Sequence, residues 1–200
     1  MKATPTLLCI PDISGFTKFM SDTDIELSSK VIPALLNKVI YANKLELKVS
    51  EIEGDAILFY KTGGLPTFTE LVYQCRLFYT EFYVQLKILQ KQYKKNKEVD
   101  NIPDMLGLKI VLHYGKEISA VPIGKKIKLM GEDVIIAHRL LKNEIPLEEY
   151  ILISEALLSE YNTDNIERNF EWGELRELEA EYKHIGEINY SYIGLKHLED

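Results

Sequence analysis

The stretch Leu7-Leu8-Cys9-Ile10-Pro11-Asp12-Ile13-Ser14-Gly15-Phe16-Thr17 decides the fold, because a strand passes there into a helix. Its first four residues form a continuous apolar run, which is typical of a strand covered on both faces. Asp12 closes the strand with a carboxylate, and Gly15 lets the backbone turn tightly. The free backbone amides at the start of the helix are suited to hold phosphate oxygens.

A second carboxylate, Asp55, lies at the tip of a predicted hairpin. Strands are predicted over Glu46–Ile52 and Ala56–Tyr60, with Glu53-Gly54-Asp55 as the tight turn between them. If this hairpin is a neighbour of the first strand, Asp12 and Asp55 converge. Two carboxylates beside an anion-binding turn suit a Mg²⁺–triphosphate site. Each carboxylate also has a simpler interpretation, since Asp is common after strands and in hairpin turns.

Three helices are predicted from apolar periodicity: one from about Ile25 to Lys44, one from near Thr67, and one from Gly131. Pro33 lies inside the first, so we expect a break or a fresh helix start nearby. The second ends in lysines followed by Asn101 and Pro103, and this end is predicted to be a solvated, mobile loop. Asp133 lies near the start of the third, where a carboxylate favours the positive end of the helix dipole.

Further strands are predicted over Leu108–Tyr114, Glu117–Val121, Ile151–Ile153 and Ile188–Ile193. Gly115-Lys116 is predicted to turn the first of these into the second, and Ser154 to cap a small helix. The last strand is predicted to be edge-like. Hairpins interleaved with helices indicate one mixed or antiparallel sheet with helices packed on it, an α/β or α+β class, in a single domain over residues 1–200.

Composition narrows the function classes. The chain has 200 residues, 31 acidic and 24 basic, for a net charge of −7. An acidic surface argues against a nucleic-acid partner and against an anionic membrane, although a local site with divalent cations still suits a small anion. The two cysteines, Cys9 and Cys75, lie in apolar patterns and are predicted to be buried thiols. Neither a signal peptide nor an apolar run of 18 residues is present, so a cytoplasmic location is expected.

The segment Asp12-Ile13-Ser14-Gly15-Phe16-Thr17 resembles the Asp-Ile-x-Gly-Phe-Thr signature of class III adenylate and guanylate cyclases. That family carries a second metal-binding Asp in a Gly-Asp hairpin roughly forty residues later, and Asp55 lies at this distance. Residues 131–139, Gly-Glu-Asp-Val-Ile-Ile-Ala-His-Arg, are similar to the family's Gly-x-x-Val-Asn-x-Ala-x-Arg helix. The resemblance extends from about residue 6 to residue 195.

The resemblance implies a ferredoxin-like cyclase fold and a homodimer with two sites at its interface. It implies that Asp12 and Asp55 bind two Mg²⁺ or Mn²⁺ ions and that Arg139 stabilises the transition state. It also implies a nucleoside triphosphate substrate, GTP or ATP, converted to a 3′,5′-cyclic monophosphate and pyrophosphate in cyclic-nucleotide signalling. The triphosphate would be held by the helix start, namely Ile13, Ser14, Gly15, Phe16 and Thr17.

Three positions depart from the family pattern. The transition-state Asn is replaced by Ile135, which cannot donate a hydrogen bond. The base-reading Lys and Asp of adenylate cyclases are replaced by Glu51 and Lys128. This pair suits guanine, with Glu51 accepting from N1 and N2 and Lys128 donating to O6. Alternatively, the two side chains neutralise each other across the dimer interface and read no base.

Two functions are therefore compatible with the sequence. One is an active nucleotidyl cyclase, indicated by the two carboxylates, the phosphate-binding turn and Arg139. The other is a catalytically degenerate module that binds a nucleotide or a protein partner, indicated by Ile135. The four histidines show neither metal-ligand spacing nor an adjacent nucleophile, and no Ser-His-Asp arrangement is predicted. His138 is predicted to point away from Arg139, its neighbour on the helix.

Overall fold

A computed structural model describes residues 3–93, 105–124, 126–162, 166 and 168–198. The strands are β1 (Thr4–Ser14), β2 (Lys48–Glu53), β3 (Ala56–Thr62), β4 (Gly107–Ile123), β5 (Lys126–Met130), β6 (Tyr150–Ser154), β7 (Arg176–Tyr182) and β8 (Gly186–Gly194). The helices are α1 (Phe16–Asp22), α2 (Ile25–Tyr41), α3 (Phe68–Gln92), α4 (Glu132–Leu140) and α5 (Glu155–Leu158), and a short 3₁₀ turn covers Lys196–Leu198. The predicted loop around 91–103 lies mostly outside the described residues.

The strands form one sheet in the order β2-β3-β1-β4-β6-β8-β7, and β5 pairs with β4 beside it. All pairs are antiparallel except β4 with β6. β1 is central, because its continuous apolar run is buried on both faces. The predicted mixed, mainly antiparallel α+β sheet with packed helices is confirmed, although β1 extends to Ser14, four residues beyond the predicted apolar run.

Helices cover both faces of the sheet. Leu7, Cys9 and Ile13 of β1 pack with α2 and α3 in the larger core, which includes Phe59, Phe78 and Phe82. Leu8 and Ile10 point to the opposite face and pack with α4 in a smaller core. The alternation along β1 therefore decides which side chains face α4, and Asp12 is on that side.

The two cysteines are free and fully buried, as predicted. Cys9 lies on β1 and Cys75 on α3, in the larger core. The hydrogen bond to Cys75 and burial together raise the pKa of the Cys9 thiol well above its ordinary value. Both side chains therefore behave as small apolar groups of the core.

Helix α2 runs without a break through Pro33, so the predicted interruption there is wrong. Pro33 lies on the exposed side of the helix, where water satisfies the carbonyl that loses its amide partner. Buried neighbours such as Val31 and Leu35 hold the helix against the core on the other side. The predicted start of α3 is confirmed, since Thr67 and Glu70 form a reciprocal capping box.

The predicted turn at Gly115 is also wrong, because β4 continues through it to Ile123. A Cβ at Gly115 would lie 2.4 Å from the Cβ of Asp133, so glycine is required there for close packing of α4. The chain turns instead at Gly124, which has a φ of 62°. The returning strand β5, which carries Lys128, was not predicted.

The last predicted strand is not at the edge of the sheet, so this prediction of its position is wrong. β8 lies between β6 and β7, so it is interior, and the unpredicted β7 forms the edge. β7 alternates Glu177, Glu179 and Glu181 with less polar residues, and this charge protects an edge strand from pairing with other chains. Ser154 takes the N-cap position of α5, but its hydroxyl contacts His113 and makes no capping bond.

Candidate functional site

A cavity of about 860 Å³, here the first cavity, opens between the β2–β3–β1–β4 part of the sheet and the β5–α4 segment. Its charged lining contains four carboxylates and four permanent cations: Asp12, Glu51, Glu53, Asp55, Lys109, Lys128, Arg139 and Lys142. Apolar side chains, including Ile10, Leu58 and Ile135, complete the wall. Balanced charges on an apolar wall suit a ligand that has both an anionic part and an uncharged ring.

The register of the sheet brings Asp12 and Asp55 together, as predicted. Asp12 pairs with Ala56 of β3, the residue after Asp55, and the Ile13 amide donates to the Asp55 carbonyl over 3.2 Å. Gly54 closes the hairpin with a φ of 63°. Burial and the nearby Asp12 charge raise the pKa of Asp55 to about 6. A divalent cation would relieve this mutual repulsion.

Lys109 supplies the positive charge nearest to this carboxylate pair. It lies opposite Asp12 in the β1–β4 register, and its Nζ is 3.1 Å from Asp12 Oδ2. The Asp12 side chain is only 12% exposed, so the ion pair is largely shielded from water. The sequence reasoning missed Lys109, although a lone cation inside the apolar strand 108–114 was a usable signal.

Glu51 and Lys128 form an ion pair of 3.5 Å within one chain. The unpredicted β5 brings Lys128 beside β2, so the pair forms without a second chain, and a meeting of the two side chains across a dimer interface stays a prediction. His138 Nε2 lies 4.0 Å from the other Glu51 oxygen. Glu51 thus stands between two nitrogen groups at the edge of the first cavity.

Helix α4 contributes Ile135, His138 and Arg139 to the same wall. Both neighbours line this wide cavity, yet they meet different groups: His138 lies near Glu51 and Arg139 near Tyr182, so their different directions on the helix agree with the prediction. The Ile135 side chain is 55% exposed and lines the cavity. The position where the family resemblance expects a hydrogen-bond donor therefore faces the open cavity with a hydrocarbon.

The predicted phosphate-binding residues lie next to Asp12 but outside the cavity lining. Ile13 is buried in the larger core, and the Ser14 hydroxyl donates to the Glu148 carbonyl. Gly15 has a φ of 78°, and a Cβ there would lie 1.9 Å from the Met105 carbonyl oxygen. Phe16 and Thr17 open α1. Phosphate binding by these five residues stays a prediction.

A Ser-His-Asp set does occur, contrary to the sequence prediction. The His113 ring lies 2.8 Å from Ser154 Oγ through Nδ1 and 3.2 Å from Asp133 Oδ1 through Nε2. The hydrogen bond with His113 lowers the pKa of Asp133. Ser154 and His113 are 1% and 2% exposed, so no substrate reaches the hydroxyl. This set therefore anchors the start of α4 to the sheet.

Among the described residues, no group of three or more His, Cys, Asp or Glu side chains is arranged to hold a metal ion. The Asp12–Asp55 pair instead fits Mg²⁺ or Mn²⁺ that arrives with a nucleotide, because such ions are commonly held by one or two carboxylates plus substrate phosphates. None of the described helices is long and apolar enough to cross a membrane.

Known structures resemble this fold over nearly the whole chain. The adenylyl cyclase CyaB from P. aeruginosa aligns with a TM-score of 0.66 at 15% identity, covering 97% of this chain and 96% of that one. The guanylyl cyclase Cya2 aligns with a TM-score of 0.65 at 16% identity, covering 98% and 95%. The GTP-bound guanylate cyclase domain of RhGC from Catenaria anguillulae aligns at 0.60 and 17%, covering 96% and 97%.

Sequence relatives point to a family without an assigned activity. A Mycobacterium tuberculosis protein, the uncharacterized protein Rv2561/Rv2562, is 30% identical over 165 residues, which are 80% of this chain and 72% of the relative. The model of the protein family of unknown function DUF2652 matches residues 32–150. The chain therefore belongs to the DUF2652 family, and its fold is that of class III adenylyl and guanylyl cyclase catalytic domains.

Proposed function

We propose that the protein is a nucleotidyl cyclase that converts a purine nucleoside triphosphate to a 3′,5′-cyclic monophosphate and pyrophosphate. The observation that carries the proposal is the convergence of Asp12 and Asp55 in a cavity whose wall also holds Lys109, Lys128 and Arg139. A structural scaffold has no evident need for a repelling carboxylate pair at the end of a strand. The triphosphate would bind with its phosphates toward this pair.

Two Mg²⁺ or Mn²⁺ ions per site would be held by Asp12, Asp55 and the substrate phosphates. When bound, they would polarise the 3′-hydroxyl and offset the charge that develops on the phosphates. Lys109 would then be released from Asp12 and become available to phosphate oxygens, which are the stronger remaining anions in the cavity. The Asp55 carboxyl must lose its proton for this arrangement, which its pKa of about 6 permits at neutral pH.

The reaction requires a bond between the 3′-oxygen and the α-phosphorus, loss of the hydroxyl proton, and departure of pyrophosphate. Arg139 lines the cavity and keeps its charge at any physiological pH, so it would stabilise negative charge on the α-phosphoryl group. The helix start at 13–17 would add the backbone amides that follow Ile13 to the terminal phosphates, since the Ile13 amide itself is bonded to the Asp55 carbonyl. Ile135 supplies no hydrogen bond, which predicts a slow enzyme.

A homodimer would complete the site. Two exposed apolar side chains line the first cavity, Met130 on β5 and Ile135 on α4, and Val49, Ile52 and Ile127 on the neighbouring strands are also exposed, each of the five by 42–55%. An exposed apolar rim of this kind is typical of a surface that another chain covers. We propose that two copies meet there and close the open side of the first cavity.

The base would be guanine. Glu51 accepts hydrogen bonds and Lys128 donates them, which matches the N1, N2 and O6 edge of guanine and opposes that of adenine. Their ion pair of 3.5 Å is half-exposed on the Lys128 side, so a base is able to insert between them at low electrostatic cost.

A second candidate is a degenerate module that binds a nucleotide without turnover. Ile135 favours it, since losing one such donor typically lowers turnover by about 10²–10³. Both candidates require nucleotide binding in the first cavity. They differ only in whether a product forms.

Incubation with each of the four nucleoside triphosphates and Mn²⁺, followed by mass spectrometry of the products, tests the proposal. We expect cyclic GMP from the wild type and none from Asp55→Ala. Calorimetric binding of a non-hydrolysable GTP analogue with Mn²⁺ would be measured in parallel. Binding without product supports the degenerate module, and binding that survives Asp12→Ala contradicts both candidates.

A further inference from the structure

A second cavity of about 890 Å³ lies far along the sheet from the first, between α5, residues 166 and 168–175, and the β7–β8 hairpin. Its wall combines polar groups with five apolar or aromatic side chains: Leu158, Tyr161, Ile166, Phe170 and Leu175. Three carboxylates line it, from Glu155, Glu174 and Glu177. No Lys, Arg or His belongs to the lining among the residues that the structure describes.

The acidic lining continues into an adjoining cavity of about 470 Å³, which shares Glu155, Glu177 and Ser191 and adds Glu179. Within the described part of the chain, none of these four carboxylates forms an ion pair. Glu177 and Glu179 are two positions apart on β7, so their side chains share a face and are about 6.8 Å apart along the strand. The carboxylates are therefore near one another, but they lie in a row and do not converge on one point.

Ser191 provides an independent sign of a ligand. Its residue is only 5% exposed, and it lines both the second cavity and the adjoining one. Its hydroxyl makes no hydrogen bond with any residue in the described ranges. Among the described residues only Ser50 Oγ is fully buried without a partner, so the Ser191 hydroxyl is open to the cavity and is positioned to meet a group that enters it.

The spacing of these carboxylates favours an extended organic cation over a metal ion. A bare metal ion requires several ligands at one point, yet these carboxylates are not grouped closely enough to hold one. The apolar side chains of the second cavity would contribute nothing to the binding of such an ion. A ligand with separate positive charges joined by methylene groups uses both features, because carboxylates bind the charges and the wall packs against the spacers.

We propose that the second cavity and its adjoining cavity bind a linear aliphatic polyamine. Ammonium groups separated by three or four methylenes match the spacing of Glu177 and Glu179. The innermost ammonium would donate to the Ser191 hydroxyl, and Glu155 and Glu174 would flank the mouth. This site is independent of the cyclase proposal, since none of its residues lines the first cavity.

The single tryptophan, Trp172, gives a direct readout, because its ring lies 5.3 Å from that of Phe170 in the cavity wall. Titration of the 200-residue protein with spermidine, followed by Trp172 fluorescence and by calorimetry, should saturate at one equivalent. Glu155→Gln with Glu177→Gln should weaken binding about tenfold, and Ser191→Ala about threefold. Glu26→Gln, which removes the same charge from exposed α2, should leave binding unchanged.

Several outcomes would overturn the proposal. Absence of saturation, or equal weakening by Glu26→Gln, would mean general attraction to an acidic protein. Displacement of spermidine by equimolar Mg²⁺ would indicate a metal site, and tighter saturable binding of a lysine-rich peptide would indicate a protein-docking surface. Circular dichroism of each variant confirms folding, and Ser191→Ala tests the site with a change that leaves the charge untouched.

Discussion

The two cavities have nearly the same volume, about 860 and 890 Å³, yet their charges are organised in opposite ways. In the first, Lys109 pairs with Asp12 and Lys128 with Glu51, so acidic groups and cations alternate. In the second, the carboxylates have no cationic partner among the described residues. Balanced charge suits a metal-bearing anion, whereas unbalanced negative charge suits an organic cation. Cavity size alone therefore says little about the ligand.

The largest expected effect, on the rate of product formation, comes from placing a hydrogen-bond donor at position 135 in the first cavity. Ile135→Asn should raise the rate of cyclic product formation about 100-fold, because an amide would then be available to stabilise the transition state. The exposure of Ile135 means that little packing is lost. Product would be quantified by mass spectrometry under saturating GTP and Mn²⁺, with Asp55→Ala in the same background as the control. An unchanged rate with intact binding would contradict the role assigned to this position.

The next largest effect, on stability, is expected from removing a cation from the first cavity, so that a carboxylate there lacks a cationic partner like those of the second cavity. Lys109→Met leaves the shielded Asp12 carboxylate without its cation, which should lower the free energy of unfolding by about 2 kcal/mol. Mn²⁺ should restore more thermal stability to this variant than to the wild type. Lys116→Met is the matched control, because Lys116 is 76% exposed and 3.8 Å from Glu160. Equal losses in the two variants, measured by urea denaturation, would rule out a special role for Lys109.

A smaller effect on stability is expected from loosening the contact between Asp133, at the start of α4, and His113 on the sheet. Asp133→Asn should lower stability by about 1 kcal/mol at pH 7, since the hydrogen bond to His113 is only partly exposed. The folded-state pKa of Asp133 is lowered, so its contribution is complete above the unfolded pKa of about 4 and is lost as pH falls through the folded value.

Denaturation curves for the wild type and Asp133→Asn between pH 7 and pH 2.5 should therefore converge at the acidic end. A constant difference across this range would show that Asp133 acts through packing and not through its charge.

The smallest effect tests the unbalanced charge of the last hairpin. Glu181 and Glu187 lie directly opposite each other across β7 and β8. Glu181→Lys replaces this like-charge pair with an attractive one and should stabilise the protein by about 0.5 kcal/mol. Glu181→Gln should give about half of that gain in urea denaturation. A loss of stability in the Lys variant would mean that the acidic hairpin is relieved by another contact.

Sequence reasoning found the local features whose signals are contained in a few neighbouring residues. The strand-to-turn segment at 7–17, the Gly54 hairpin and the capped start of α3 all have such signals, and their register was enough to bring Asp12 and Asp55 together. Gly115 misled the prediction because its small size serves contact with Asp133, a partner 18 residues away in the chain. The spacing rules for turns contain no information about that contact.

The same limitation explains the unpredicted strands. β5 and β7 carry alternating charged residues and few buried ones, so their strand character depends on pairing with β4 and β8. The position of Lys128 beside Glu51 and of the acidic row beside Ser191 depends on those pairings. The central carboxylate pair was therefore predictable, whereas the ion pairs and the second cavity required the assembled sheet.

The buried state of Cys9 and Cys75 also has a practical consequence. Because both thiols are enclosed in the larger core, thiol-reactive dyes and spin labels should leave the native protein unmodified. A single cysteine introduced on an exposed position of α2, such as Glu26, would then accept one label at a known place. Two labelled copies would report the distance between their helices in solution, so an assembly can be measured without first removing any native residue.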